Sequence, residues 1–227
     1  MNKIICADWS WIKNIEPNSI DLICIDPPYE INYCEWDKPG FINWYEMFNL
    51  FQKILKETGN LIIFQGWSQV NQIIHFGLGS DFILTNWIIY DRIKGRGASR
   101  NLMSTREDIL WFTKSDIYTY NKIYSNTKKK TGGMGLKNGQ ENRALSNVWT
   151  DISPIVPWSK ERVKHPTQKP LALIERLITI FSNENDLVLD CFCGSGTAAV
   201  ACKNLNRNYI CIDSNQVYID IANERIK

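Results

Sequence analysis

Apolar residues along this chain fall into two alternating patterns. Short apolar runs at 3–6, 22–25, 60–64, 82–90, 109–113, 187–191 and 208–212 predict seven strands. Between them, helical spacing predicts helices at 41–57, 67–76, 168–182, 197–205 and 215–226. The first of these has apolar residues at 41, 44, 45, 48, 51, 54 and 55, and Gly59 follows it as a stop signal. Strands alternating with helices imply an α/β fold with a doubly wound, mostly parallel seven-stranded sheet. Ligands of such sheets sit at the carboxyl ends of the strands. Asp8, Asp26, Asp190 and Asp213 all fall at such ends, so one crevice could gather four carboxylates.

Length and composition change this picture little. With 227 residues the chain is long enough for one substantial core, and 44% hydrophobic residues with nine Trp argue against disorder. No apolar stretch approaches the roughly 18 residues of a membrane span, and no signal peptide is visible. Seven cysteines, mostly inside predicted elements and without paired CxxC spacing, predict reduced thiols in a cytoplasmic protein. Cys191 and Cys193 have no second ligand pair, so no metal is expected.

Charge distribution is more informative than the net +2. Residues 92–169 hold 16 Lys and Arg against 6 Asp and Glu, while the rest of the chain holds 10 against 18. Such an asymmetry is an electrostatic footprint for a polyanion, since neutralised phosphates release counterions. Its components are a basic glycine-rich loop, 91–100, carrying Arg92, Lys94, Arg96 and Arg100, and the run Lys128, Lys129 and Lys130. A solvated charged face would produce the same count. The run at 128–130 suits backbone phosphates better than base edges, because phosphate contacts position a duplex while groove contacts specify it.

Two motifs carry chemistry. Asp26-Pro27-Pro28-Tyr29 directly follows the apolar run 22–25. A carboxylate and a proline carbonyl there can accept both hydrogens of one exocyclic amine, while the ring stacks on the base bearing it. Proline fixes φ, so the carbonyl direction is pre-set. An ordinary Pro-Pro turn after a strand is the bland alternative. The second motif is Asp190-Cys191-Phe192-Cys193-Gly194-Ser195-Gly196-Thr197, a strand end, a tight turn and a helix start. Glycine lets backbone approach a ligand, and a helix N-terminus favours an anionic group. A second strand then ends in Asp213, placed to hold ribose hydroxyls. No Lys follows the glycines, which excludes a P-loop.

Together the motifs resemble the amino-group DNA methyltransferases that use S-adenosylmethionine, in their circularly permuted β arrangement. Phe192 to Thr197 resembles the family's F-x-G-S-G-T segment, and His165-Pro166-Thr167-Gln168-Lys169-Pro170 its H-P-T-Q-K-P segment. Ala7-Asp8 and Asn18 to Leu22 resemble the pattern preceding its D-P-P-Y. The family usually has Pro at the place of Cys191 and Glu at that of Asp213. The resemblance implies a Rossmann-like methyltransferase fold in one catalytic domain, 1–227, with a target-recognition insertion at about 114–164. It also implies that Asp26, Pro27, Pro28 and Tyr29 are catalytic. Asp8, Lys169, Asp190, Phe192, Gly194, Ser195, Gly196, Thr197 and Asp213 would bind the cofactor, with Lys169 at the methionine carboxylate. The substrate would be double-stranded DNA, modified at adenine N6 because D-P-P-Y is commoner in adenine enzymes. A homodimer and a cognate restriction endonuclease are the partners it suggests. Other readings stay open: a cytosine-N4 enzyme, an RNA or protein N-methyltransferase, and a non-catalytic DNA-binding module. A nicotinamide oxidoreductase would explain the glycine turn but leaves Asp26 to Tyr29 idle.

Overall fold

The computed structural model describes residues 2–32, 37–96, 99–100, 102–128 and 142–227. Its main sheet has eight strands in the order β1-β10-β9-β2-β3-β5-β4-β8. These are β1 (Asn2–Cys6), β2 (Ile20–Ile25), β3 (Leu55–Gln65), β4 (Ile83–Arg96), β5 (Ser104–Thr113), β8 (Val148–Trp149), β9 (Leu187–Asp190) and β10 (Asn208–Asp213). Only the β3–β5 and β5–β4 pairings are antiparallel. All seven strands anticipated from the sequence are present. The eighth, β8, is two residues long and too short to show as an apolar run. A separate antiparallel ribbon, β6 (Tyr124–Lys128) with β7 (Asn142–Ala144), lies within residues 114–164, where no strand was expected.

The unbroken apolar runs follow from burial on both sheet faces. Along β2, Leu22 and Cys24 enter one core with Leu173, Leu177 and Phe181, while Ile23 and Ile25 enter the other with Met47, Phe48 and Phe51. Helices α1 (Trp44–Ile54) and α2 (Val70–Gly79) contribute to the second core; α3 (Leu171–Phe181), α4 (Thr197–Asn204) and α5 (Gln216–Arg225) contribute to the first. Asn60 joins the layers. Its amide donates to the carbonyls of Thr119 and Phe181 and accepts from Trp111 Nε1 at 2.8 Å.

Several expected boundaries shift: the second helix runs Val70–Gly79 rather than 67–76, and β4 continues to Arg96, into the segment expected as the loop 91–100. Helix α1 ends at Ile54, five residues before Gly59, because Leu55 turns extended and enters β3. Gly59 instead lies within β3, where the register with β2 shifts between Ile20 and Leu22. A Cβ at Gly59 would stand 2.7 Å from Leu55 Cδ1 and 3.0 Å from the Asp21 carbonyl, so close packing explains this glycine. No helix among the described residues is long and apolar enough to cross a membrane.

The strand order sets the position of the site. From β9 the chain crosses to β10 on one side, whereas from β2 it crosses to β3 on the other. Adjacent strands whose connections diverge leave a crevice at their carboxyl ends. Asp190 ends β9 and Asp26 follows β2 directly.

Candidate active site

A cavity of about 880 Å³ opens at this crevice. It is lined by Asp8, Asp26, Pro27, Pro28, Tyr29, Arg92, Lys169, Asp190, Phe192, Gly194, Ser195, Thr197 and Asp213. Residues far apart in the chain and singled out from its motifs thus share one wall. Gly196 lies behind that wall, where an added Cβ would stand 2.5 Å from Ala222 Cβ.

The half of the cavity at the end of β2 is charged. Asp26 Oδ1 accepts from the Tyr29 hydroxyl at 2.9 Å, and Oδ2 accepts from Lys169 Nζ at 2.5 Å. The Lys169 ammonium also lies 3.5 Å from Glu107 Oε2, and Arg92 Nη1 lies 3.5 Å from Glu107 Oε1. Phe64 and Tyr29 present their rings to the same ammonium at 5.3 and 5.5 Å. Burial opposes the charge on Lys169, yet Asp26 and then Glu107 outweigh it and raise the lysine pKa. Burial, joined by the Asp26 charge, raises the Glu107 carboxyl against the opposing pull of Lys169 and Arg92. Tyr29 is held firmly as a phenol, first by burial and then by the Asp26 charge.

The half at the ends of β9 and β10 is built from backbone. Gly194 (φ 47°) and Gly196 (φ 77°) take left-handed conformations that L side chains rarely adopt. Asp213 closes the turn, accepting from the amides of Gly194 and Asn215, both at 2.9 Å. Asp190 accepts from the Phe192 amide at 3.0 Å, and its burial pushes the carboxyl up to about 8. Arg225 staples the turn from α5, donating to the Ser195 carbonyl at 2.7 Å and reaching Thr197 Oγ1 at 3.2 Å. Over the turn, His165 Nε2 would stand 2.7 Å from any Cβ at Gly194, and its ring packs edge-on against Tyr218. Burial drives the His165 pKa down to about 4, so the ring is neutral at physiological pH.

Glu107, Arg225 and the neutral His165 were not anticipated as functional residues. Glu107 sits within Arg106-Glu107-Asp108, which in sequence looks like the polar end of a strand. Three expected sites take other surroundings. Lys169, expected at the cofactor's carboxylate, places its ammonium between Asp26 and Glu107. Arg92, expected at phosphate, faces Glu107 and donates to the Ser104 carbonyl at 3.1 Å. Asp8 caps the 3-10 turn at Trp9–Asn14 through the Ser10 amide at 2.7 Å while still lining the cavity.

Arg100 is exposed. Lys94, Arg96 and Lys128 belong to strands whose side chains there lie outside the described residues, as do Lys129 and Lys130 entirely. Gln168 is a loop brace, donating to the Glu161 carbonyl and accepting from the Val163 amide. Cys24, Cys191, Cys193, Cys202 and Cys211 are buried free thiols, and Cys6 is exposed.

The cavity fits a nucleoside carrying an amino-acid tail. Left-handed glycines expose a backbone turn, carboxylates at two strand ends can accept from hydroxyls, and the volume exceeds the needs of one such molecule. Asp26 and Tyr29 line the same cavity.

Comparison with known proteins agrees with this geometry. Residues 20–224 match the family N6_N4_Mtase, described as DNA methylase. The chain is 38% identical to the Type II methyltransferase M.HpaI of Haemophilus parainfluenzae, covering 99% of this chain and 74% of that protein. It is 34% identical to the Type II methyltransferase M1.MboII of Moraxella bovis, covering 98% and 94%. The crystal structure of an M1.HpyAVI–SAM complex superposes with a TM-score of 0.68 at 30% identity, covering 99% of this chain and all of that one.

Proposed function

As a member of the N6_N4_Mtase family of DNA methylases, this chain is an S-adenosylmethionine-dependent DNA methyltransferase, and we propose that its acceptor is N6 of an adenine turned out of a DNA duplex. The observation carrying the proposal is the convergence of Asp26-Pro27-Pro28-Tyr29 and the Gly194–Thr197 turn on one cavity, although the motifs lie at opposite ends of the chain.

S-adenosylmethionine, when bound, supplies an electrophilic methyl group on a good leaving group. The residues at 190–197 and Asp213 would hold it, with the glycine turn admitting its polar end. The acceptor is the harder problem, since an exocyclic amine delocalises its lone pair into the ring. Asp26 and the Pro27 carbonyl would accept its two N–H bonds and favour a pyramidal nitrogen. Asp26 is positioned for this by the Tyr29 hydroxyl on one oxygen. Holding nitrogen and methyl in line supplies much of the acceleration. A stacked base cannot reach the cavity, so it must leave the helix, which costs a few kcal/mol. Stacking on Tyr29 offsets most of that, at roughly 1 to 3 kcal/mol per base. Once methylated, the nitrogen is cationic and sheds one proton to the Asp26 carboxylate that already accepts it, and thence to water, so Asp26 need not deprotonate the amine before the methyl arrives.

Adenine is preferred over cytosine on the resemblance of Asp26-Pro27-Pro28-Tyr29 to adenine-specific enzymes. Residues 114–164 are the proposed target-recognition insertion, and the basic stretch Lys128 to Lys130 its phosphate contact. A homodimer and a paired restriction endonuclease remain part of the proposal.

The test is methyl transfer from tritiated S-adenosylmethionine to unmethylated genomic DNA, followed by nucleoside digestion and chromatography. Label in N6-methyladenine is expected. Label in N4-methylcytosine would overturn the choice of base, and absence of label from DNA would move the substrate to RNA or protein.

A further inference from the structure

We propose that Glu107 is a positioning residue that receives the Lys169 ammonium when the substrate amine takes its place on Asp26. The inference rests on the assignment of Asp26 as acceptor of the amine. In this structure both Asp26 oxygens are engaged, one by the Tyr29 hydroxyl and one by Lys169 at 2.5 Å. The ammonium therefore occupies the very carboxylate the amine needs. Its alternative is already in place. Glu107 Oε2 is buried 3.5 Å from the same nitrogen and makes no hydrogen bond among the described residues.

Three observations favour an exchange between the two carboxylates. Lys169 is buried, so its ammonium cannot leave Asp26 for water without a large desolvation penalty. The rings of Phe64 and Tyr29 flank it, a face-on setting that tolerates a cation along the short path. Arg92 holds the other oxygen of Glu107 from behind and keeps that carboxylate in register. After the move Lys169 and Arg92 both face Glu107, while Asp26 keeps the Tyr29 hydroxyl and gains the amine's hydrogens, so each buried charge retains partners. A bound sulfonium would add positive charge to the cavity and so weaken the hold of Asp26 on the ammonium. The exchange frees Asp26 only once the site is loaded, which restricts the competent geometry to the ternary complex.

The experiment compares Glu107→Gln, Lys169→Met and the double variant in the full chain, on DNA shown to be labelled by the wild-type chain. An unlabelled wild-type reaction would refute the assigned function itself. Given labelling, Glu107→Gln is expected to lower kcat by about 100-fold, the loss that follows when a reacting group is held about 1 Å from its productive place. Its Kd for S-adenosylmethionine, by calorimetry, should stay within about twofold of wild type. Adding Lys169→Met should recover about tenfold of kcat by removing the competing ammonium. Lys169→Met alone should retain at least about 100-fold more activity than Asp26→Ala. Full turnover in Glu107→Gln, no recovery in the double variant, or a Lys169→Met loss matching Asp26→Ala would each overturn the proposal. A crystal structure of the wild-type chain with duplex DNA gives a readout independent of turnover and of how the variants fold. Lys169 Nζ is expected within about 3.2 Å of Glu107 Oε2, and an ammonium still on Asp26 would overturn the exchange.

Discussion

The two halves of the cavity solve the same problem, a carboxylate at a strand end, by opposite means. At Asp190 and Asp213 the partners are backbone amides from within two residues or from the adjoining turn. At Asp26 they are side chains, Tyr29 from the same loop and Lys169 from the loop before α3, 143 residues away in sequence, with Glu107 of β5 and Arg92 of β4 paired behind the lysine. A half built from local backbone is rigid and suits a ligand of fixed shape. A half built from long side chains has alternative pairings and suits a substrate that must displace something on arrival.

The comparison can be broken most sharply at Asp26. Replacing it by Ala should reduce methyl transfer on the order of 10³-fold, as expected for losing a preorganised electrostatic contact. Cofactor affinity should hardly change, because the other half is unaffected. Parallel losses of turnover and affinity, measured by single-turnover labelling and calorimetry, would show that the halves are not separable.

His165 stands between the halves and reports on both through pH. Its folded pKa of about 4 lies below its unfolded value near 6.5. The unfolded chain therefore binds more protons in that window, and the histidine's contribution to stability is lost as pH falls from about 6.5 toward 4. About 2 to 3 kcal/mol should disappear after allowing for partial exposure. Urea unfolding across that range checks this, and a His165→Asn variant should show a flatter profile.

The smallest effect expected is that of Tyr29→Phe, which keeps the ring and removes the hydroxyl bond to Asp26. One neutral donor to a charged acceptor corresponds to about 1.5 to 3 kcal/mol, or roughly 10- to 150-fold in kcat. Tyr29→Ala should lose more, because base stacking goes with it. Equal losses in the two variants would mean that the ring contributes nothing beyond its hydroxyl.

The same contrast explains what the sequence made legible. The glycine turn, its flanking strands and Asp213 are contiguous or nearly so, and each residue type announces a backbone requirement. The seven longer strands were visible because burial on both faces makes them continuously apolar. Lys169 and Arg92 were legible as functional residues but were expected at the cofactor's carboxylate and at phosphate, and Glu107 looks like an ordinary polar residue; only tertiary packing brings the three together beside Asp26. Gly59 misled for a related reason. In sequence it resembles a helix stop, while its requirement is space beside Leu55 and the Asp21 carbonyl. Strand β8 was invisible because two residues carry no period.

That short strand bears on how the chain behaves among its own copies. Strand β4 runs for 14 residues, and a long unpaired edge is a template for association with other chains. Residues 146–151 cover part of it. Ile89 and Tyr90 pair with Val148 and Trp149, and Asn147 ties to the Trp87 carbonyl at 2.9 Å. Trp149 is buried beneath the Arg176 guanidinium, which is itself clamped by Asp151. Deletions that trim the proposed recognition insertion past residue 145 would therefore strip a sheet edge along with any DNA contacts. Insoluble protein from such a deletion would report on self-association and say nothing about which residues read the target sequence.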